Sequence, residues 1–251
     1  LSFFKVAIRF FCENIYGRKR REGVIFAEAD LTGGRNGIIL WRRNPGGVWT
    51  MKKKLPILEK VLWPGSTQLA PVPVVLVGCG GHEGNYNLIT IAWAGILCSQ
   101  PPMLSIAVRP ERHSYPIIRD SGEFTVNLPT AAMAADVDYC GVVSGRDHRK
   151  FAERDLTPVA GSKVAAPVVA ECPLALECKV AQRLELGSHH LFLAEIVAVQ
   201  AAAAFIGPDG RFDLEQAGLL AYVHGHYYAL GECLGHFGFS VRRKPGPKTR
   251  R

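Results

Sequence analysis

LALECKVAQRLEL-GSHH-LFLAEIVAV, residues 174–199, is the stretch whose reading decides the fold. Leu174, Leu176, Cys178, Val180 and Leu184 alternate with Glu177, Lys179, Arg183 and Glu185, a period of two that predicts one buried and one wet face. Gly187-Ser188-His189-His190 turns the chain into Leu191–Val199, so a long antiparallel hairpin is expected. Shorter runs rich in β formers lie upstream: Val72–Val77, which ends in Gly78, then Leu88–Leu97, Met103–Val108 and Glu123–Leu128. Pro208-Asp209-Gly210 marks another turn. Helical patterns are few, Thr130–Tyr139 and a short piece near Tyr228–Leu234. Many short strands at this spacing predict a mainly β chain, an antiparallel barrel or sandwich rather than a βαβ protein.

Composition narrows the class. Of 251 residues, 48% are hydrophobic and 21% charged, ordinary for a globular protein. No apolar run approaches the ~20 residues that span a bilayer. Lys5 and Arg9 interrupt the apolar opening Leu1–Cys12, which also lacks a secretory cleavage pattern. Seven cysteines without a CxxC pair suit neither a disulfide framework nor a zinc ribbon, and the expected compartment is the reducing cytoplasm. The net charge of +8 is uneven: residues 1–50 carry nine Lys/Arg against four acids, residues 242–251 carry six Lys/Arg, and 51–241 stand at −3. A nucleic-acid-binding core is therefore not expected, and neither is a membrane partner. A binder of nucleic acid or of membrane surface through the basic ends remains a distant alternative, with salt-sensitive binding as its mark. Residues 1–50 show no sustained period and hold Arg18-Lys19-Arg20-Arg21 and Asn44-Pro45-Gly46-Gly47. They are expected to be an unstructured or upstream-translated extension, or else a basic arm with a partner. Met51 then opens the folded domain, 51–241, and 242–251 form a basic tail.

Four segments could carry chemistry. Gly78-Cys79-Gly80-Gly81-His82-Glu83-Gly84 imitates a nucleotide loop, but its third glycine falls one place late and the β-rich Asn85–Leu97 follows where a helix is needed. It reads as a hairpin loop. NLITIAWAG, 87–95, sets Asn87, Thr90 and Trp93 on an apolar strand, the mixture a flavin wants, although a strand with one core Trp reads the same way. RPERHS packs Arg109, Arg112, His113 and Ser114 after a strand, as a phosphate site or a solvated loop would. SGRDHRKF, 144–151, does likewise with Arg146, Arg149 and Lys150. His189 tips the long hairpin, within reach of a site or simply exposed. His224, His226, Cys233 and His236 match no zinc spacing, so no metal is expected. No hydrolase motif is present.

Taken in order, VPVVLVG, NLITIAWAG, SQPPMLSIAVRPERHS, GEFTVNLP, SGRDHRKF, GSHHLFLAEIVAV and YYALGECLGHFGFSV resemble the flavoredoxin branch of the flavin-reductase-like family, over roughly residues 66–242. The resemblance implies an FMN-binding split β-barrel of about six antiparallel strands in Greek-key order with a few flanking helices. It also implies a homodimer with FMN near the subunit contact. It places Asn87, Thr90 and Trp93 along the flavin. Lys150 falls at a basic position beside the phosphate or the N1/C2 edge, and His189 at the turn histidine. The phosphate is left to Arg109, Arg112, His113 or Ser114. An aromatic facing the flavin is Tyr222, with Tyr228 as second choice.

The function implied is an NAD(P)H-dependent flavin reductase or flavoredoxin-like electron carrier, in which Lys150 and His189 stabilise negative charge on the reduced cofactor. NAD(P)H would be the co-substrate and a redox protein a possible partner. An FMN-binding or storage protein without nicotinamide activity is the alternative within the fold.

Overall fold

The computed structural model describes residues 24–29, 37–43 and 49–54 as paired strands, and residues 55 and 57–241 throughout. The chain divides into two compact units, Leu1–Ser66 and Thr67–Arg251.

In the first unit, Val24–Ala29 (β1), Gly37–Arg43 (β2) and Trp49–Lys54 (β3) form an antiparallel meander in which Val24 faces Arg42 and Ile38 faces Lys54. This differs from the expected unstructured extension, and β3 runs across the expected boundary at Met51. The β formers Val24-Ile25-Phe26 and Ile38-Ile39-Leu40-Trp41 account for the pairing; each run is too short to register as a period. Residues 1–23 and the basic tail 242–251 lie outside the described residues.

The second unit is mainly β. Its strands are Val72–Pro73 (β4), Val75–Cys79 (β5), Asn87–Ile91 (β6), Ala94–Ser99 (β7), Pro102–Val108 (β8), Glu123–Leu128 (β9), Pro158–Ala160 (β10), Pro167–Val169 (β11), Leu174–Glu185 (β12), His190–Ala201 (β13), Leu220–Val223 (β14) and His226–Ala229 (β15). Seven of them make one antiparallel sheet in the order β6-β5-β9-β12-β13-β8-β7, one more strand than the six or so expected. Three helices flank it: Ser114–Ser121 (α1), Ala134–Val142 (α2) and the single turn Lys150–Glu153 (α3). Among the described residues no helix is long and apolar enough to cross a membrane.

β5 shows why the upstream run is apolar without alternation. Val75, Val77 and Cys79 enter a core with Ile106, Phe124, Phe192 and Ile118 of α1, while Leu76 enters a second core with Val137 and Cys140 of α2. A strand covered on both faces needs apolar residues at every position. The long hairpin forms as expected, with Leu174 opposite Ala201 and Glu185 opposite His190. Glu177 keeps the face opposite Leu176 and Cys178, as the alternation expects, but that face is not wet: the segment Ser162-Lys163-Val164 covers it and leaves Glu177 fully buried. The expected helix near Tyr228–Leu234 is a correction too: β15 occupies its start, paired to β14 across a two-residue turn. His224 and Gly225 both take positive φ there, 42° and 87°, which matches the strand twist as a primed hairpin turn does.

Candidate functional site

The site begins at a corner. NLITIAWAG is not one strand: β6 pairs with β5 and β7 with β8, and the chain bends between them at Ala92-Trp93. The Trp93 carbonyl accepts a 2.9 Å bond from the Ala107 N–H, which pins the bend to the end of β8. Trp93 is left 45% exposed on the wall of a cleft of about 420 Å³, within the range of small-molecule sites. Six of the residues singled out from sequence meet there: Thr90, Trp93, Arg109, Arg112, His189 and Tyr222. Apolar side chains of β6 and β8, with Val142 of α2, supply much of the remaining wall.

Each of these groups is constrained. His189 packs on Trp93 with ring centroids 4.4 Å apart, and its Nδ1 lies 3.0 Å from the Ser188 hydroxyl. Burial, and then the Arg109 charge, push the imidazole below its ordinary range, so at neutral pH it is uncharged. A proton donated by Ser188 to Nδ1 leaves Nε2–H as the ring's free donor. The Thr90 hydroxyl donates to the Val137 carbonyl at 2.5 Å, so toward the cleft it offers lone pairs only. Gly141 permits that approach of α2, since a Cβ there would sit 3.2 Å from the Thr90 Cβ. Arg109 pairs loosely with Glu111 at 3.6 Å, whereas Arg112 has no ion pair among the described residues.

The other expected residues stand elsewhere. Asn87 and Ser114 are buried, joined by a 2.8 Å bond from Nδ2 to Oγ, and they tie the start of β6 to the start of α1 behind the arginine loop. His113 is half-buried and outside the lining. Lys150 is the clearest departure: 4% exposed, its ammonium donates to the Leu88 carbonyl at 2.7 Å and the Cys140 carbonyl at 2.8 Å. It stands behind the wall, not in it, and burial lowers its pKa. Tyr228 faces away, half exposed.

Among the lining residues that the sequence did not single out are Asp138, Gly141 and Tyr227. Tyr227 was findable. A two-residue turn at His224-Gly225 sets Tyr222 opposite Tyr227, so one cannot face the cleft without the other. Asp138 carried no such signal, because the face α2 presents is not marked by a strong apolar stripe.

Residues 67–231 match the family described as flavin reductase like domain. The chain belongs to this family. An uncharacterized protein of Archaeoglobus fulgidus is 36% identical over 146 residues, which cover 58% of this chain and 80% of that relative. The flavoredoxin of Desulfovibrio vulgaris (Miyazaki F) superposes with a TM-score of 0.68 at 34% identity, covering 74% of this chain and all of its own. A protein of Shewanella frigidimarina NCIMB 400 assigned to the flavin reductases with a split barrel domain gives a TM-score of 0.61 at 25% identity, over 67% of this chain and 86% of its own.

The family's split barrel is thus the architecture described above. In this flavin reductase like domain the thiols beside the site are quiet. Burial pushes Cys79 and Cys140 up to about 11, which keeps both protonated and poor nucleophiles.

Proposed function

We propose that the cleft holds FMN and that the chain is an NAD(P)H-dependent flavin reductase or flavoredoxin-like electron carrier. The observation that carries this reading is the meeting, in one cleft, of an apolar wall headed by Trp93 with two arginines and a histidine. The residues fit the cofactor by their chemistry. An aromatic and aliphatic wall suits a flat ring system, and guanidinium forks suit a phosphate dianion.

FMN, when bound, supplies the hydride and electron chemistry. The chain's own groups bind and orient. Arg112, with no carboxylate to satisfy, is the principal phosphate donor and Arg109 the second. Thr90 accepts from a ligand N–H or O–H. His189 donates from Nε2 toward the ring edge where negative charge collects on reduction. Lys150 acts only as a field from behind the wall, its ammonium on the carbonyls of Leu88 and Cys140, each the chain neighbour of a lining residue, Ile89 and Gly141. A second cavity of about 400 Å³ shares Ala92, Trp93 and Ala107 with the first and gives room beside the ring for a nicotinamide. Two copies pair as a homodimer; the exposed Ile96 and Leu97 on the edge strand β7 support this.

The test is direct. The purified protein should carry or take up one FMN per chain, and anaerobic NADH or NADPH should bleach it. Bound flavin that neither nicotinamide reduces would leave the FMN-storage alternative. Sedimentation of a flavin-loaded monomer would remove the homodimer.

A further inference from the structure

The cleft has two arginines and one carboxylate, Asp138, and no ion pair joins them among the described residues. Asp138 is held instead by Tyr227, whose hydroxyl donates to Oδ1 at 3.2 Å across 89 residues of sequence. That bond links α2 to the β14–β15 hairpin, two walls of the same cleft. Burial, and then Asp138 itself, push the Tyr227 phenol up to about 12, so it stays a donor at any ordinary pH. A carboxylate has about four acceptor positions and Tyr227 fills one. No other hydrogen bond or ion pair engages the Asp138 side chain among the described residues. A carboxylate in one cleft with two arginines, and bonded to neither, makes the cleft bipolar, with cationic donors from the loop after β8 and an anionic acceptor from α2.

We propose that Asp138, positioned by Tyr227, is the acceptor for the uncharged donor groups of the cleft's ligand. Those groups are sugar-alcohol hydroxyls or a ring imide N–H, whereas the arginines read its anion. This rests on the flavin reading above and adds to it a division of labour. A ligand with a phosphate at one end and N–H or O–H donors elsewhere satisfies both poles. One with a second anion at the donor end meets Asp138 as a like charge.

Titration of FMN and of riboflavin, which lacks the phosphate, into the full chain separates the poles. Asp138→Asn should weaken both flavins by the same factor, about tenfold, as expected for losing a hydrogen bond to a charged group. Arg112→Gln should weaken FMN and leave riboflavin unchanged. Tyr227→Phe should weaken both about threefold in the wild-type background and add nothing in Asp138→Asn, a result that a merely structural tyrosine would not give. Thermal midpoints taken alongside identify a variant that fails to fold, and Asp138→Glu then serves in its place, with both flavins again weakened in equal measure. The proposal falls if Asp138→Asn binds both flavins as wild type does, or if it tightens FMN alone, which would make Asp138 only a repeller of phosphate. A wild-type chain that binds neither flavin overturns the cofactor reading and this proposal together, and so differs from either of those results.

Discussion

Two basic segments, RPERHS at 109–114 and SGRDHRKF at 144–151, look alike in sequence and come to opposite ends in the structure. The first leaves Arg109 and Arg112 on the cleft wall, one loosely paired and one unpaired among the described residues. The second turns Arg146 and Arg149 to solvent and drives Lys150 inside, onto two backbone carbonyls. Composition cannot separate them, since each offers cations and a small residue. What separates them is where the backbone is anchored. RPERHS hangs between the end of β8 and the start of α1, so its long side chains are free to reach. SGRDHRKF is clamped: a Cβ on Gly145 would lie 2.0 Å from Asn87 Oδ1, and α3 buries Lys150 and Phe151 on α2 and β6. A cation available to this cleft is one whose backbone anchors it at the cleft mouth, neither folded inside as Lys150 is nor turned to open solvent as Arg146 and Arg149 are.

The buried charge of opposite sign gives that rule its largest test. Glu177 is fully buried and accepts from Ser162 N and Oγ, Lys163 N, Val164 N and Gln200 Nε2, at 2.6–3.1 Å. Burial alone would raise this carboxyl, but the Gln200, Lys163 and Ser162 donors outweigh it and hold it down from 4.5 to about 2. The folded chain therefore binds this proton less readily than the unfolded one. Its stabilisation is fully present above pH ~4.5 and is lost as pH falls through 2, roughly 3 kcal/mol in all. Urea midpoints between pH 6 and 3 should drop accordingly, and Glu177→Gln should be less stable at pH 6 and flatter across that window. An unchanged acid limb in the variant would show the cage to be idle.

The second test strikes the clamp. Gly145→Ala pushes a methyl into a buried amide that is already bonded to Ser114, and should cost about 2–3 kcal/mol of stability. Thermal unfolding checks it. A neutral result would mean that SGRDHRKF is free to move, and the contrast with RPERHS would fail.

How much of this could be read beforehand follows from the kind of force involved. Glu123–Leu128 is a strand over the very residues expected, and the 174–199 hairpin pairs as written, because period-two burial imprints itself on sequence. Six of the residues that the resemblance sets along a flavin line one cleft, and only the resemblance grouped them; no period brings Thr90 near His189. The bend at Ala92-Trp93 was invisible, since both arms are equally apolar and the break comes from a strand changing partners. Glu177 was read as wet because alternation says which face a residue takes and nothing of what covers that face, here Ser162-Lys163-Val164. Lys150 was read as a ligand donor because its carbonyl partners, on Leu88 and Cys140, are backbone groups that every residue carries. Tyr227 needed only the turn at His224-Gly225 to be recognised.

Between the two segments themselves, paired substitutions give reciprocal outcomes. Arg112→Gln should weaken FMN by about 1.5–3 kcal/mol, ten- to hundredfold, with the melting temperature unmoved, because its guanidinium makes no ion pair or hydrogen bond among the described residues. Lys150→Met should do the reverse. Two buried carbonyls lose their donors, at about 1–2 kcal/mol of stability, while the preference for FMN over riboflavin persists. Calorimetry and flavin titration on both variants complete the square. If Lys150→Met abolishes the FMN preference, the ammonium reaches the phosphate after all, and the structural distinction between the segments is wrong.

The smallest effect probes how far RPERHS acts beyond its own loop. His189 lies on a different element, yet Arg109 shares the cleft with it and, after burial, is the next cause of its lowered pKa. Folding thus favours the uncharged ring. The stability this contributes is complete above the ordinary histidine value of 6.5 and declines as pH falls below it, because the unfolded chain takes up the proton first. The decline should be small, because the ring is partly solvated. Proton NMR of the imidazole, with His189→Gln to assign the resonance, should find it titrating below 6.5. Arg109→Gln should move it part of the way back, and Arg146→Gln should not move it at all. The return is only partial because burial against Trp93 remains when the charge is gone. A resonance that ignores Arg109 would leave the hairpin tip and the arginine loop as neighbours without electrostatic coupling. The preference of His189 for the uncharged ring would then rest on packing alone.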